Sequence, residues 1–174
     1  DISVPSTPFT FEEARTKLLS DCENRNKPRT VQDYRRLLNR HFQFEKQIDQ
    51  IKRKEVMSVV SSLSATPSES HHAYVAIRTM MNWCVTHGLI SISPVPPITF
   101  KKQTRERILS DDELRQIFQR AETFPYPYGP IVQLLILTGQ RRGEIAGLRW
   151  NWIENGEIVF PQGFTKNKQE HRIP

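Results

Sequence analysis

The sequence predicts two domains: a four-helix front domain, and then an α+β domain with a small antiparallel sheet. Three observations support this prediction. Apolar stripes with helical spacing fill the first half, a proline-rich and charged stretch follows, and short strand patterns appear near the end. The predicted domains are residues 1–92 and 108–174, joined by a linker at 93–107. A surface loop within one domain is the alternative for residues 93–107.

Four helices are predicted in the front half, each from a start signal and one apolar stripe. Thr10 and Glu13 form a capping box, in which each side chain accepts a hydrogen bond from the other residue's backbone amide. The later helices are predicted to open at Thr30, Lys52 and Thr66. Because each helix has a single apolar stripe, the four are expected to pack together as a bundle.

The back half is predicted to contain three helices followed by a sheet. Ser110 and Glu113 form a second capping box at the start of the first of these helices. The three helices are expected to end near Glu122, Leu137 and Leu148. Asn155-Gly156 is typical of a hairpin turn, and strands are predicted at residues 157–160 and 171–174.

Positive charge is concentrated in the front half. The 174-residue chain has a formal net charge of +6. Residues 1–104 carry 15 Lys and Arg against 10 Asp and Glu, whereas residues 105–174 carry 10 against 9. Because nucleic acid is the commonest polyanion in a cytosol, the front half is predicted to bind nucleic acid through electrostatic attraction.

Apolar runs and cysteines exclude other classes of protein. No apolar run approaches the roughly 18 residues that a membrane-spanning helix needs, so we expect no membrane partner. Cys22 and Cys84 match no metal-ligand spacing, and we expect reduced thiols in the core. A disulfide between them is the alternative.

Residues 138–144, Thr-Gly-Gln-Arg-Arg-Gly-Glu, carry the most informative motif. They place Arg141 at a glycine-permitted turn, beside the amides of a helix N-terminus, which favour an anion. A planar guanidinium is suited to two oxygens of one phosphate. Glu144 could orient Arg141 or neutralise its neighbour. A surface arginine pair beside a helix cap is the alternative.

The order of these features resembles the tyrosine recombinases, also called phage integrases, across essentially the whole chain. Residues 138–144, followed by Leu148 and Trp150, resemble the first arginine box of that family, Thr-Gly-x-Arg-x-x-Glu. The Lys-Pro-x-Thr start at 27–30 resembles its core-binding domain, and residues 109–114 resemble the opening of its catalytic domain. The resemblance implies a mainly α, SAM-like four-helix core-binding domain and a truncated α+β catalytic domain.

The resemblance also implies roles for particular side chains. Arg141, rather than Arg142, would be the catalytic arginine that clamps the phosphate, and Glu144 would be its supporting carboxylate. Lys166, between the second and third strands, would be the general acid that protonates the leaving 5′ hydroxyl; ordinary solvation of a loop lysine is the alternative. No metal and no cofactor are implied, because arginines and a lysine stabilise the transition-state charge.

The family's remaining catalytic groups have no match in this sequence. The family uses a His-x-x-Arg box and a nucleophilic tyrosine further along the chain, whereas all the tyrosines here precede Arg141: Tyr34, Tyr74, Tyr126 and Tyr128. We therefore expect the front portion of a recombinase, catalytically incomplete by itself. One alternative is a non-catalytic DNA-binding regulator with the same fold. Another is a helical protein-interaction module, which would expose a contiguous apolar face.

Double-stranded DNA is the expected partner. The predicted phosphate contacts are Arg35, Arg36, Arg40, Lys52, Arg53, Lys54 and Arg142. A charged helix face that is merely solvated is the alternative. By the resemblance, the parent enzyme would be a tetramer on DNA, the chain alone would be a monomer, and the protein would be cytoplasmic, of bacterial or phage origin.

Overall fold

The structure, a computed structural model, describes residues 9–101, 106–165 and 169–174. The chain divides into two compact units, Asp1–Lys102 and Gln103–Pro174. The predicted fold class is confirmed: the first unit is helical, and the second combines helices with a small antiparallel sheet. The domain bounds drawn from the sequence, 1–92 and 108–174, stay a prediction.

Four α-helices form the first unit within its described residues: α1 Phe11–Arg25, α2 Pro28–His41, α3 Arg53–Ser62 and α4 Pro67–Thr86. The predicted start of α2 at Thr30 is wrong by two residues. Pro28 opens the helix instead, because proline's fixed φ suits the first turn and its missing N–H is not needed there. Gly88, with φ of 69°, follows the end of α4.

The capping box at Thr10 is confirmed. The Thr10 amide donates to Oε2 of Glu13 over 2.9 Å, and the Glu13 amide donates to Oγ1 of Thr10 over 3.2 Å. This exchange lowers the pKa of the Glu13 carboxyl, chiefly through the backbone bond from Thr10. Two of the amides that a helix N-terminus leaves without partners are thereby satisfied.

A continuous apolar core joins the four helices of the first unit. Its largest fully buried side chains include Phe11, Leu18, Leu38, Met80 and Met81. Burying a side chain of this size contributes about 1.5–3 kcal/mol, so this core is the main source of the unit's stability. Both cysteines are free and buried, and burial raises the pKa of Cys84 to about 12.

Within its described residues, the second unit contains α5 Asp111–Ala121, α6 Tyr128–Thr138 and α7 Arg142–Ala146, followed by β1 Ile153–Glu154, β2 Glu157–Phe160 and β3 His171–Ile173. The strands are antiparallel in the order β1-β2-β3, with Ile158 opposite Ile173. The predicted hairpin is confirmed, with positive φ at both Asn155 and Gly156.

Aromatic side chains pack one face of this sheet. Phe160 of β2 is fully buried. Its ring lies 6.2 Å from that of Phe164 and 6.3 Å from that of Trp152, between ring centroids. His171 opens β3 as predicted, and its ring stacks on Phe160 from this neighbouring strand. In the described parts of the chain, no helix is long and apolar enough to span a bilayer.

Candidate functional site

The turn between α6 and α7 sets the position of Arg141. Gly139 ends α6 in the left-handed conformation, with φ of 63°, and its amide donates to the carbonyl of Leu135 over 3.0 Å. The Thr138 hydroxyl donates back to the carbonyl of Leu134 over 2.6 Å. The turn is therefore tied to the last turn of α6, and Arg141 follows it as the residue that precedes α7.

Glu144 holds Arg141 at two points. Its Oε2 accepts from the Arg141 backbone amide over 3.2 Å, and its Oε1 accepts from Nη1 of Arg141 over 2.8 Å. The Glu144 side chain is 7% exposed, whereas that of Arg141 is 57% exposed. A buried carboxylate thus fixes the backbone and one guanidinium nitrogen, while the rest of the guanidinium faces solvent. The neighbouring Arg142 is exposed and makes no ion pair among the described residues.

Close packing at Gly147 holds the end of α7 against the connection between β2 and β3. A Cβ at Gly147 would lie 2.7 Å from Cζ of Phe164, so a larger residue would displace that ring. Ile145 on α7 is buried. The arginine turn and the residues that immediately precede Thr165 therefore belong to one packed region.

The predicted catalytic lysine, Lys166, lies outside the described residues. Its neighbour Thr165 is buried, and the Thr165 hydroxyl donates to the carbonyl of Gln169 over 2.8 Å. This bond joins the two described ends of the segment that contains residues 166–168. The role of Lys166 stays a prediction.

Two of the seven predicted DNA contacts are already engaged by carboxylates. Nη2 of Arg35 donates to Glu23 over 2.7 Å. Arg36 binds Glu69 of α4 through two bonds, of 2.6 and 3.1 Å. The positive charge of each arginine is therefore partly neutralised by a carboxylate, which weakens its attraction for a DNA phosphate.

The remaining basic side chains of the first unit that were predicted to bind DNA are Arg40, Lys52, Arg53 and Lys54. All four are exposed, and none makes an ion pair within the described part of the chain. Their charges are thus more available to a polyanion than those of Arg35 and Arg36.

Glu69 also accepts from His41, a contact that the sequence did not predict. Nε2 of His41 lies 2.9 Å from Oε1 of Glu69, and the His41 side chain is 10% exposed. The hydrogen bonds from Arg36 and then His41 lower the pKa of Glu69 to about 2. This three-residue cluster, the Glu69 cluster, joins the end of α2 to the first turn of α4.

The second unit exposes an apolar face of the kind expected of a protein-interaction module. Gly129 is the single buried residue of α6, and Leu137 is 69% exposed. Nearby, Tyr126 and Trp150 are 80% and 83% exposed. They border an apolar groove of about 330 Å³ between α6 and the sheet. This face of α6 stays exposed because the described part of the unit offers no second layer over it.

The fold and the arginine turn together, a helical domain followed by a Thr-Gly-x-Arg-x-x-Glu box, resemble the class of the tyrosine recombinases. No family model matches the chain. Individual relatives do. The chain is 26% identical over 149 residues to the integrase of Escherichia phage HK022, which covers 82% of this chain and 41% of that protein. It is 30% identical over 82 residues to the integrase of Enterobacteria phage 434, covering 47% of this chain and 23% of that protein.

Solved structures of lambda integrase share the fold. A lambda integrase tetramer bound to a Holliday junction matches 97% of this chain and 50% of its own, with a TM-score of 0.83 and 20% identity. A lambda integrase dimer bound to a COC′ core site matches with a TM-score of 0.81, over 97% and 49%. These findings confirm the resemblance to the phage integrases. The chain spans less than half the length of the curated relatives it matches.

Proposed function

We propose that this chain is a portion of a site-specific DNA recombinase of the integrase type. In this proposal the chain binds duplex DNA and holds the phosphate that is to be cleaved. Similarity to lambdoid phage integrases supports the class, and the solved structures that share the fold include lambda integrase bound to DNA. The concentration of positive charge in the front half supports DNA as the partner. The observation that carries the proposal is the pairing of half-exposed Arg141 with buried Glu144.

In this proposal Arg141 binds the two non-bridging oxygens of the DNA phosphate that is to be cleaved. Glu144 occupies one edge of the guanidinium, which leaves other N–H groups for the phosphate. A guanidinium is always protonated, so it stabilises the charge that builds on the phosphorus oxygens in the pentavalent transition state. Because Glu144 fixes it before substrate arrives, little reorganisation is needed when that charge develops.

Lys166 is proposed as the general acid for the departing 5′ hydroxyl. The proposal rests on the Thr165-Lys166 sequence between β2 and β3, and on the packing of Phe164 against the end of α7. A protonated lysine near the leaving oxygen would neutralise the alkoxide as the P–O bond breaks.

The nucleophile is proposed to come from outside these 174 residues. In the parent enzyme a tyrosine hydroxyl would attack the phosphorus, form a 3′-phosphotyrosyl bond and release the 5′ hydroxyl, so the bond energy is retained without ATP. Within this chain, Tyr74 is buried with its hydroxyl engaged; Tyr126 lies in the proline-rich loop before α6 and Tyr128 is the first residue of α6, so both precede Arg141. None of the three matches the position of the family's nucleophile.

The chain alone should therefore bind DNA without cleaving it. We expect no SDS-resistant protein–DNA adduct after incubation with a nicked duplex that traps covalent intermediates. A labelled adduct that survives denaturation and is removed by protease would overturn this part of the proposal.

Arg141 should contribute to DNA affinity. Arg141→Ala removes one charge-assisted phosphate contact, so we expect about a tenfold weaker Kd for a fluorescent duplex, measured by anisotropy. Arg115→Ala is the matched control: it removes an exposed arginine of the same unit that pairs with Asp112. Equal losses in the two variants would show that Arg141 contributes general charge alone.

Two alternatives make different predictions. A non-catalytic DNA-binding regulator would bind DNA equally well, but retention of Arg141, Glu144 and Lys166 together favours a catalytic parent. An interaction module is favoured by the apolar groove of the second unit. Such a module would bind duplex DNA weakly and without a steep dependence on salt.

A further inference from the structure

The hydroxyl of Tyr74, also on α4, is the focus of a second hydrogen-bonded cluster. It donates to the carbonyl of Pro96 over 2.8 Å and accepts from the amide of Ile98 over 3.0 Å. It also accepts from Nη1 of Arg78 over 3.1 Å. A tyrosine hydroxyl has one proton and two lone pairs, so its bonding capacity is fully used.

The segment that this hydroxyl binds packs on the first unit through Val95, Ile98 and Phe100. Val95 is buried, and Ile98 and Phe100 pack against the helical core. The ring of Phe100 lies 5.2 Å from that of Tyr74 and 4.9 Å from that of His71, between centroids. Residues 95–100, which lie within the linker predicted at 93–107, therefore pack on the helical unit.

We propose that Tyr74 is a latch that fastens residues 96–100 to α4 and so sets the length of the tether between the two units. With the latch closed, nine residues, 101–109, separate Phe100 from Ser110, which caps α5. With the latch open, residues 96–109 become the tether, which is fourteen residues. The buried side chain of Val95 still anchors its beginning.

The length of a tether controls how strongly two joined units assist each other in binding. The effective concentration of the second unit falls roughly as the −3/2 power of tether length, so opening the latch lowers it about twofold. If both units contact DNA, the latch strengthens binding by that factor. This consequence rests on the proposed function; the latch itself does not.

Amide hydrogen exchange tests the latch without DNA. The Ile98 amide donates to the Tyr74 hydroxyl, so its exchange rate reports on that hydrogen bond. Pro96 and Pro97 have no amide proton and add no signal of their own. In the full chain, Tyr74→Phe removes this acceptor and keeps the ring, and we expect Ile98 exchange to accelerate about fivefold or more. Phe100→Ala, which leaves α4 intact, should have the same effect through loss of the ring contact.

Tyr34→Phe is the matched control, because it makes the same chemical change on α2. The Tyr34 hydroxyl has no hydrogen-bond partner among the described residues. Ile98 exchange should be unchanged in this variant. Unaltered Ile98 exchange in both Tyr74→Phe and Phe100→Ala would overturn the latch.

DNA binding tests its consequence separately. We expect Tyr74→Phe to weaken binding to a fluorescent duplex about twofold, as should insertion of five Gly/Ser residues after Lys101 in a chain with an intact latch. Accelerated Ile98 exchange without any DNA binding by the parent chain would support the latch and contradict the proposed function. Accelerated exchange with binding that is unchanged in both variants would overturn the role of tether length.

Discussion

A half-exposed arginine keeps a fixed direction when its backbone and its guanidinium are held by the same group. Glu144 provides this for Arg141, because its two oxygens bind the Arg141 amide and Nη1. The carboxylate also lies in the first turn of α7, where negative charge is favoured by the helix dipole. One buried side chain therefore stabilises a helix start and orients the candidate phosphate ligand.

Glu144→Ala should destabilise the second unit. The change leaves the Arg141 amide without its carboxylate acceptor and empties a buried site, so we expect a loss of about 2 kcal/mol in the free energy of unfolding. Urea denaturation followed by tryptophan fluorescence would measure it, because Trp150 and Trp152 lie in this unit. Glu154→Ala, at an exposed position of the same unit, should cost little. Equal stability of the two variants would contradict the assigned role of Glu144.

At the residue scale, the sequence predicts contacts that are local in the chain and misses those that are not. Arg141 and Glu144 are three residues apart, so helical geometry brings them together and the motif is readable. Arg36 and Glu69 are 33 residues apart. Their pairing depends on how α2 packs against α4, which no spacing in the sequence reveals. Arg36 was accordingly predicted as a DNA contact with no sign of its carboxylate partner.

At the scale of helices, the Glu69 cluster joins α2 to α4 by charge-assisted hydrogen bonds. The depressed pKa of Glu69 means that its ionised form is favoured in the folded protein over the unfolded chain. A carboxyl of this kind contributes stability that is fully present above its ordinary pKa of 4.5. That contribution is lost as pH falls towards about 2.

Acid should therefore weaken the first unit through Glu69. We expect the free energy of unfolding to fall between pH 4.5 and about pH 2, and Glu69→Gln to lose stability at neutral pH and to flatten this slope. Urea unfolding of both proteins across this range, followed by circular dichroism, would measure the effect. Glu45→Gln, an exposed carboxyl near the same core, should leave the slope unchanged. Parallel pH profiles for Glu69→Gln and the parent chain would contradict the account.

The starts and ends of the helices and turns show which structural features can be predicted from neighbouring residues in the sequence. The capping boxes at Thr10 and Ser110 and the Asn155-Gly156 turn appear where predicted, because each is specified by neighbouring residues. The start of α2 was misplaced, since Pro28 can occupy a first turn as readily as it can precede one. The apolar pattern of α6 predicted a helix correctly but not its burial, because burial depends on what packs over it.

At the scale of the whole molecule, the chain has a well-packed helical unit and a second unit with substantial apolar exposure. The first has a continuous core and carries most of the excess positive charge. The second contains the arginine turn and the apolar groove. This division fits the proposal that the first unit supplies much of the DNA affinity and the second supplies part of the chemistry. The chain free in solution is proposed to be a monomer.

The central claim is that this chain binds the phosphate groups of duplex DNA. The salt dependence of DNA binding tests it most directly. We predict that log Kd for a fluorescent duplex rises linearly with log salt between about 50 and 200 mM. The expected slope is about 4, one for each predicted contact of the first unit that lacks a carboxylate partner among the described residues: Arg40, Lys52, Arg53 and Lys54. Arg40→Ala should lower that slope by about 1, whereas Arg35→Ala, whose guanidinium is held by Glu23, should change it less. Binding that is undetectable at the lowest salt, or an affinity that does not vary with salt, would contradict the claim.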